Sequence, residues 1–153
     1  MNRNKQVTYR LRLGSGFLDE ARQDIDLKRW RSAMDNSQLV VENAAKAVLS
    51  VLGPVGRTHF PATLLRSSLA TNAWPDAIVP DVERLAQLTE LLGFDVHMQT
   101  DYGDEADGLT PWELFDEEDA RRALEIAEEA FGLATMITHH HDSLPNDTGD
   151  AIA

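Results

Sequence analysis

From about Arg31 to Leu52 the chain runs without a single Gly or Pro, and Gly53-Pro54 then stops it. Within that stretch Met34, Gln38, Val41, Ala45, Val48 and Leu52 step by 4, 3, 4, 3 and 4 residues. This is the seam of a helix packed in a bundle, because residues three and four apart stack on one side of the helical turn. Val40, Ala44, Ala47 and Val51 widen the stripe, so burial on more than one side is expected. The alanines leave room for a neighbouring helix to come close. A strand cannot use this pattern, since its side chains alternate with a period of two.

The same step recurs at Ala120, Leu124, Ala127, Phe131 and Ala134, which predicts a last helix over about Glu117 to Thr138. Asp116, Glu117, Glu118 and Asp119 load its start with negative charge, as the helix dipole favours. Just ahead, Thr110-Pro111-Trp112-Glu113 has capping-box spacing with Pro at the first helical position. Ser15 is a plausible cap for a first helix, about Phe17 to Lys28, with Leu18, Ala21 and Ile25 inward. Two shorter helices are expected, one about Ala62 to Leu69 and one capped by Asp81, with Val82, Leu85, Leu88 and Leu92 inward. Phe94 to Leu109 reads as an acidic loop. Residues 1–14 read as a basic, weakly structured arm, 15–141 as the bundle and 142–153 as a disordered tail. The expected fold is all-α, an up-and-down bundle of about five helices, three long and two short.

At 153 residues one domain is expected. Without cysteine, thiolate metal sites and a cysteine nucleophile are excluded. The uncharged run from Ala47 to Gly56 falls short of the roughly 18 residues of a membrane span, and no apolar segment follows the basic N-terminus. A cytoplasmic protein with no membrane partner is the expectation. The net charge of −12 disfavours a general phosphate-backbone binder, yet it is unevenly spread. Residues 1–66 hold 11 basic and 6 acidic side chains, and residues 67–153 hold 3 and 20. The cations Lys28, Arg29, Arg31, Lys46 and Arg57 therefore gather in the half that could receive an anion.

Familiar catalytic patterns are missing. No Glu has a His three residues later, as a di-metal bundle needs, and there is no HExxH, GxGxxG, P-loop or GxSxG. An EF-hand frame begun at Asp101 puts Gly103 at the third ligand position and Trp112 at the twelfth, so it fails. His139-His140-His141 reads as a helix C-terminus, where His suits the dipole. No metal ion and no cofactor is expected. Lys28-Arg29-Trp30-Arg31 interleaves an aromatic with cations, the pattern of a small nucleic-acid contact, although Trp30 in a turn between helices also suits packing. Glu42 and Lys46 sit one turn apart on the most apolar helix, either as a plain surface pair or pointing into a cleft. His59, in a loop before Phe60-Pro61, is either a packing residue or an acid–base group.

Taken in order, Trp30-Arg31-Ser32-Ala33, Gln38 and Glu42-Asn43-Ala44-Ala45-Lys46-Ala47-Val48-Leu49 resemble the helical signature of HEPN domains. Thr58-His59 ahead of Leu64-Leu65, Asp101-Tyr102-Gly103-Asp104 where members commonly read Arg-Tyr-Pro-Asp, and an Ala-rich final helix extend the likeness over about Phe17 to Ala134. The resemblance implies a helical bundle, usually a homodimer. It also implies a prokaryotic toxin–antitoxin or defence-like pair with a minimal nucleotidyltransferase. Many such toxins are metal-independent ribonucleases built on an Arg followed five to seven residues later by a His. No Arg here has that spacing, Arg57 and His59 being two apart, and Asp101 stands where an Arg is usual. The expectation is thus a non-catalytic or degenerate domain in which Glu42, Lys46, His59 and Tyr102 line a nucleotide, RNA or partner cleft. One alternative is an endoribonuclease with a diverged site using His59 and Arg57. Another is a plain interaction module.

Overall fold

The structure, a computed structural model, describes residues 2–143. Its α-helices are α1 (Arg3–Asp26), α2 (Trp30–Ser50), α3 (Pro61–Ala70), α4 (Val79–Leu91), α5 (Phe94–Tyr102), α6 (Pro111–Leu114) and α7 (Glu117–Ser143). A 3-10 turn, Asp76–Ile78, leads into α4. The described residues contain no strand, and the all-α bundle is as expected. The three long helices α1, α2 and α7 pack on one another, with α3, α4 and α5 against the flank of α2 and α7.

The α2 seam is buried as its spacing predicts. Val40, Val41, Ala45 and Val48 are fully covered, and Met34 nearly so. Leu52 is the exception, because the helix ends before it and leaves it exposed. Ala120, Ala127 and Ala134 of α7 are likewise buried, with Ala123, Ala130 and Ile137 beside them. Small side chains on facing helices keep the axes close, which is what the alanine content implied.

Two of the larger expectations fail. The N-terminal arm is no arm: α1 begins at Arg3, capped by the Asn2 side chain, which accepts from the Lys5 N–H at 2.9 Å. Val7 is buried and Leu11 packs on the core, while Arg10 donates to Asn43 Oδ1 of α2 at 3.2 Å. Gly14-Ser15-Gly16 is read through rather than obeyed. Glycine inside a helix costs about 1 kcal/mol, but Gly14 is buried against α7, where a Cβ would come within 3.3 Å of the Phe131 ring. Packing therefore decides, and Ser15 caps nothing. The second failure is the acidic loop, whose first part is α5. Val96 packs on the core and Thr100, one turn on, is fully buried, so the segment has an inward stripe despite its carboxylates.

The remaining ends follow local chemistry. Thr110 and Glu113 form the expected capping box on α6. Asp81 lies in the first turn of α4 rather than capping it, since Val79 and Pro80 begin the helix. Of the expected tail, Asp142 and Ser143 complete α7, and residues 144–153 lie outside the described residues.

Candidate functional site

One face of α2 presents Gln38, Glu42 and Lys46, each a turn from the next. Lys46 Nζ lies 2.7 Å from Glu42 Oε1, and the two side chains are only 9% and 14% exposed. Gln38 Nε2 donates to the other carboxylate oxygen at 3.3 Å. Glu42 is therefore held from both sides. Gln38 Oε1, by contrast, is buried and accepts no hydrogen bond from any described residue. A buried acceptor without a donor costs of order 1–3 kcal/mol, which singles this atom out in an otherwise satisfied pair.

Gln38 and Glu42 floor a cleft of about 170 Å³. Its walls come from the loop into α3, with His59, Phe60 and Thr63, and from the α4–α5 junction, with Glu90, Phe94 and Asp95. The turn between α4 and α5 is set by Gly93, and Pro61 opens α3 at a position where a missing N–H is harmless. The His59 ring centroid lies 5.4 Å from that of Phe94, and Phe60 lies 5.3 Å from Phe94 on a tilted plane. At the rim Arg66 Nε donates to Glu90 Oε1 at 2.6 Å, a bond that raises the guanidinium pKa.

Behind His59, its ring nearly parallel at 6.4 Å, stands His97 of α5. His97 Nδ1 is 3.9 Å from Asp35 Oδ1, and Nε2 is 3.9 Å from Asp101 Oδ2. Arg31 ties this wall to α2, donating from Nε to the Thr100 carbonyl at 2.6 Å and pairing with Asp101 at 3.3 Å. Thr100 Oγ1 reaches Asp35 Oδ1 at 3.3 Å. The carboxylate at Asp101 thus serves to hold Arg31, which explains its presence without any role toward a phosphate.

Of the residues singled out from sequence, Glu42 and His59 line the cleft, and Lys46 sits behind Glu42 with its charge already matched. Tyr102 is 60% exposed at the end of α5 and is not part of the lining. Arg57 is exposed and does not line it either. The cleft offers acceptors and carboxylates rather than cations. Lys28, Arg29 and Arg31 line a different groove, so of the cations expected beside this site Lys46 is the one that meets it, through Glu42. Gln38, Phe94 and His97 were not among the cleft residues expected from sequence. A polar Gln at a seam position was the available signal for the first. Among the described residues no group of three or more His, Asp or Glu is arranged to hold a metal ion.

An α-helical bundle with a lateral cleft between its second helix and the α3–α5 flank is the class these features define. The chain belongs to the HEPN domain family, whose model matches residues 7–137. The crystal structure of TT1696 from Thermus thermophilus shares this fold with a TM-score of 0.63 and 20% sequence identity, over 90% of this chain and 99% of that one. Comparison with the curated proteins gave no match.

Proposed function

We propose that this HEPN domain binds rather than cleaves, and that its cleft takes the base of a nucleotide or of an RNA end. The observation that carries this is Gln38 Oε1, an acceptor buried without a donor among the described residues, on a residue lining an aromatic-walled cleft. An amino or ring N–H group on a base edge satisfies it once the Gln38 side chain turns into the cleft, while His59, Phe60 and Phe94 offer faces for stacking. Size argues the same way. At about 170 Å³ the cleft is smaller than the roughly 300 Å³ of the smallest drug-like pockets, enough for one flat ring with its sugar and phosphate left outside. Asp95 in the lining favours that arrangement, since its carboxylate repels a phosphate, whereas Glu90 is already matched by Arg66.

Family membership supports the rest of the reading: a cytoplasmic homodimer acting beside a nucleotidyltransferase-type partner in a toxin–antitoxin or defence-like pair. No described helix is long and apolar enough to cross a membrane.

Calorimetric titration with the four common nucleosides and their monophosphates tests the cleft. At least one base is expected to bind, with the nucleoside at least as tight as its monophosphate because the base is what is read and the lining carboxylate disfavours a phosphate. Gln38→Leu is expected to weaken binding by about tenfold, the worth of one buried hydrogen bond. No heat with any base at millimolar concentration, or equal binding by Gln38→Leu, overturns the reading.

A further inference from the structure

The elbow joining α1 to α2 carries a second groove, of about 490 Å³, that shares no lining residue with the cleft. Lys28, Arg29, Trp30 and Arg31 form one side of it, Trp112 and Phe115 the other. No carboxylate lines it, in a protein whose net charge is −12. The acids nearest in sequence, Asp26, Glu113 and Asp116, stay outside the lining.

The elbow is held rigidly. Asp24, buried near the end of α1, accepts from Ser32 Oγ at 2.8 Å and Asn36 Nδ2 at 2.7 Å, both on α2. The Arg29 N–H returns to the Asp24 carbonyl at 2.8 Å, closing the turn. Lys28 sits in that turn with φ 56, a left-handed conformation in which glycine is at ease and lysine is not. Arg31 is engaged by Thr100 and Asp101, and its guanidinium lies 5.9 Å above the Trp112 ring. Lys28 and Arg29, by contrast, make no ion pair or side-chain hydrogen bond with any described residue. Trp112 is 73% exposed, far more than packing requires, whereas Trp30 packs against a small cluster of Ile25, Ala33 and Ala120.

We propose that this groove binds a single strand of nucleic acid, one base stacking on Trp112 and the adjoining phosphates resting on Lys28 and Arg29. Unmatched cations select a polyanion, and an exposed indole beside them adds a stacking platform that every base fits. An acidic peptide would use the cations but would leave the indole without a role. The contact is tolerant of sequence, unlike the cleft, because it touches phosphates and a ring face rather than a base edge.

Tryptophan fluorescence of the full chain, titrated with a short oligouridylate, reads the groove directly. Trp74 is buried and donates to Ser68, so the responsive indoles are Trp30 and Trp112. Saturable quenching that weakens as salt rises is expected, and Lys28→Ala with Arg29→Ala should weaken it by about tenfold or more. Lys28→Gly separates binding from folding, raising Tm while lowering affinity. Trp112→Ala should weaken oligouridylate but leave the binding of inorganic polyphosphate unchanged. The Lys28→Ala, Arg29→Ala double variant should leave nucleoside binding at the cleft intact, which keeps the groove and the cleft independently testable. Absence of quenching at millimolar strand, or undiminished binding by the double variant, overturns the proposal. So does a poly-glutamate peptide that binds as tightly and depends equally on Lys28, Arg29 and Trp112, since the groove would then be a peptide surface.

Discussion

Lys46→Ala is expected to lower the stability of the fold by about 3–5 kcal/mol, read as a fall in the urea midpoint at constant slope. The size follows from what is left behind. Both side chains of the Glu42–Lys46 pair are largely buried, and the ammonium meets the carboxylate at 2.7 Å. Removing it strands a carboxylate whose remaining partner is the Gln38 amide, a neutral donor at 3.3 Å. An exposed pair at this spacing would contribute only about 0.3–0.5 kcal/mol, so the experiment separates a buried ion pair from a surface one by a wide margin. The combined change Glu42→Gln with Lys46→Met should recover most of the loss, because neither residue is then charged. If the single change instead costs under about 1 kcal/mol, the range of a surface pair, Lys46 is effectively solvated and the floor of the cleft is not sealed.

Gly103→Ala should be the second large effect, at about 2–3 kcal/mol. Gly103 ends α5 with φ 69, and a Cβ there would overlap the Leu109 carbonyl oxygen. That oxygen is fixed by backbone, accepting from the Asp104 N–H at 2.8 Å while Leu109 N–H returns to Asp104 at 2.9 Å. The loop has no slack to give. Strain at this point loosens the last turn of α5, where Thr100 and Asp101 hold Arg31. The His97 ring should therefore shift as well, visible in its imidazole proton resonances. Gly108, also at φ 69 but with open space around it, serves as the control, since its alanine variant carries the conformational cost without the overlap.

What could be read from the sequence was whatever is periodic or local. The seam through Met34, Val41, Ala45 and Val48 repeats often enough to survive one polar member, and the Thr110/Glu113 capping box is complete within four residues. Gly14 misled because its helix-breaking preference is local while the Phe131 ring that makes it useful arrives from the far end of the chain. The helical start of the acidic segment was hidden by composition: Asp95 and Asp101 stand out, whereas Val96 and Thr100 carry the packing signal quietly. In the cleft, Glu42 and His59 were visible as unusual residues in their settings. Gln38 was visible as a polar member of the seam and of the helical signature, not as a site residue, and His97 became apparent once α5 was placed against α2. Tyr102 drew attention through its position in a motif, and the fold leaves it facing solvent.

The most direct measurement is a side-chain NMR titration with the best-binding nucleoside, following the Gln38 amide and the His59 and His97 imidazoles in the assigned protein. Saturable shifts at Gln38 and His59, with a smaller one at His97 and none at Trp112, are the expected result. Shifts absent from Gln38 and His59 while the nucleoside binds elsewhere would contradict a base-binding cleft.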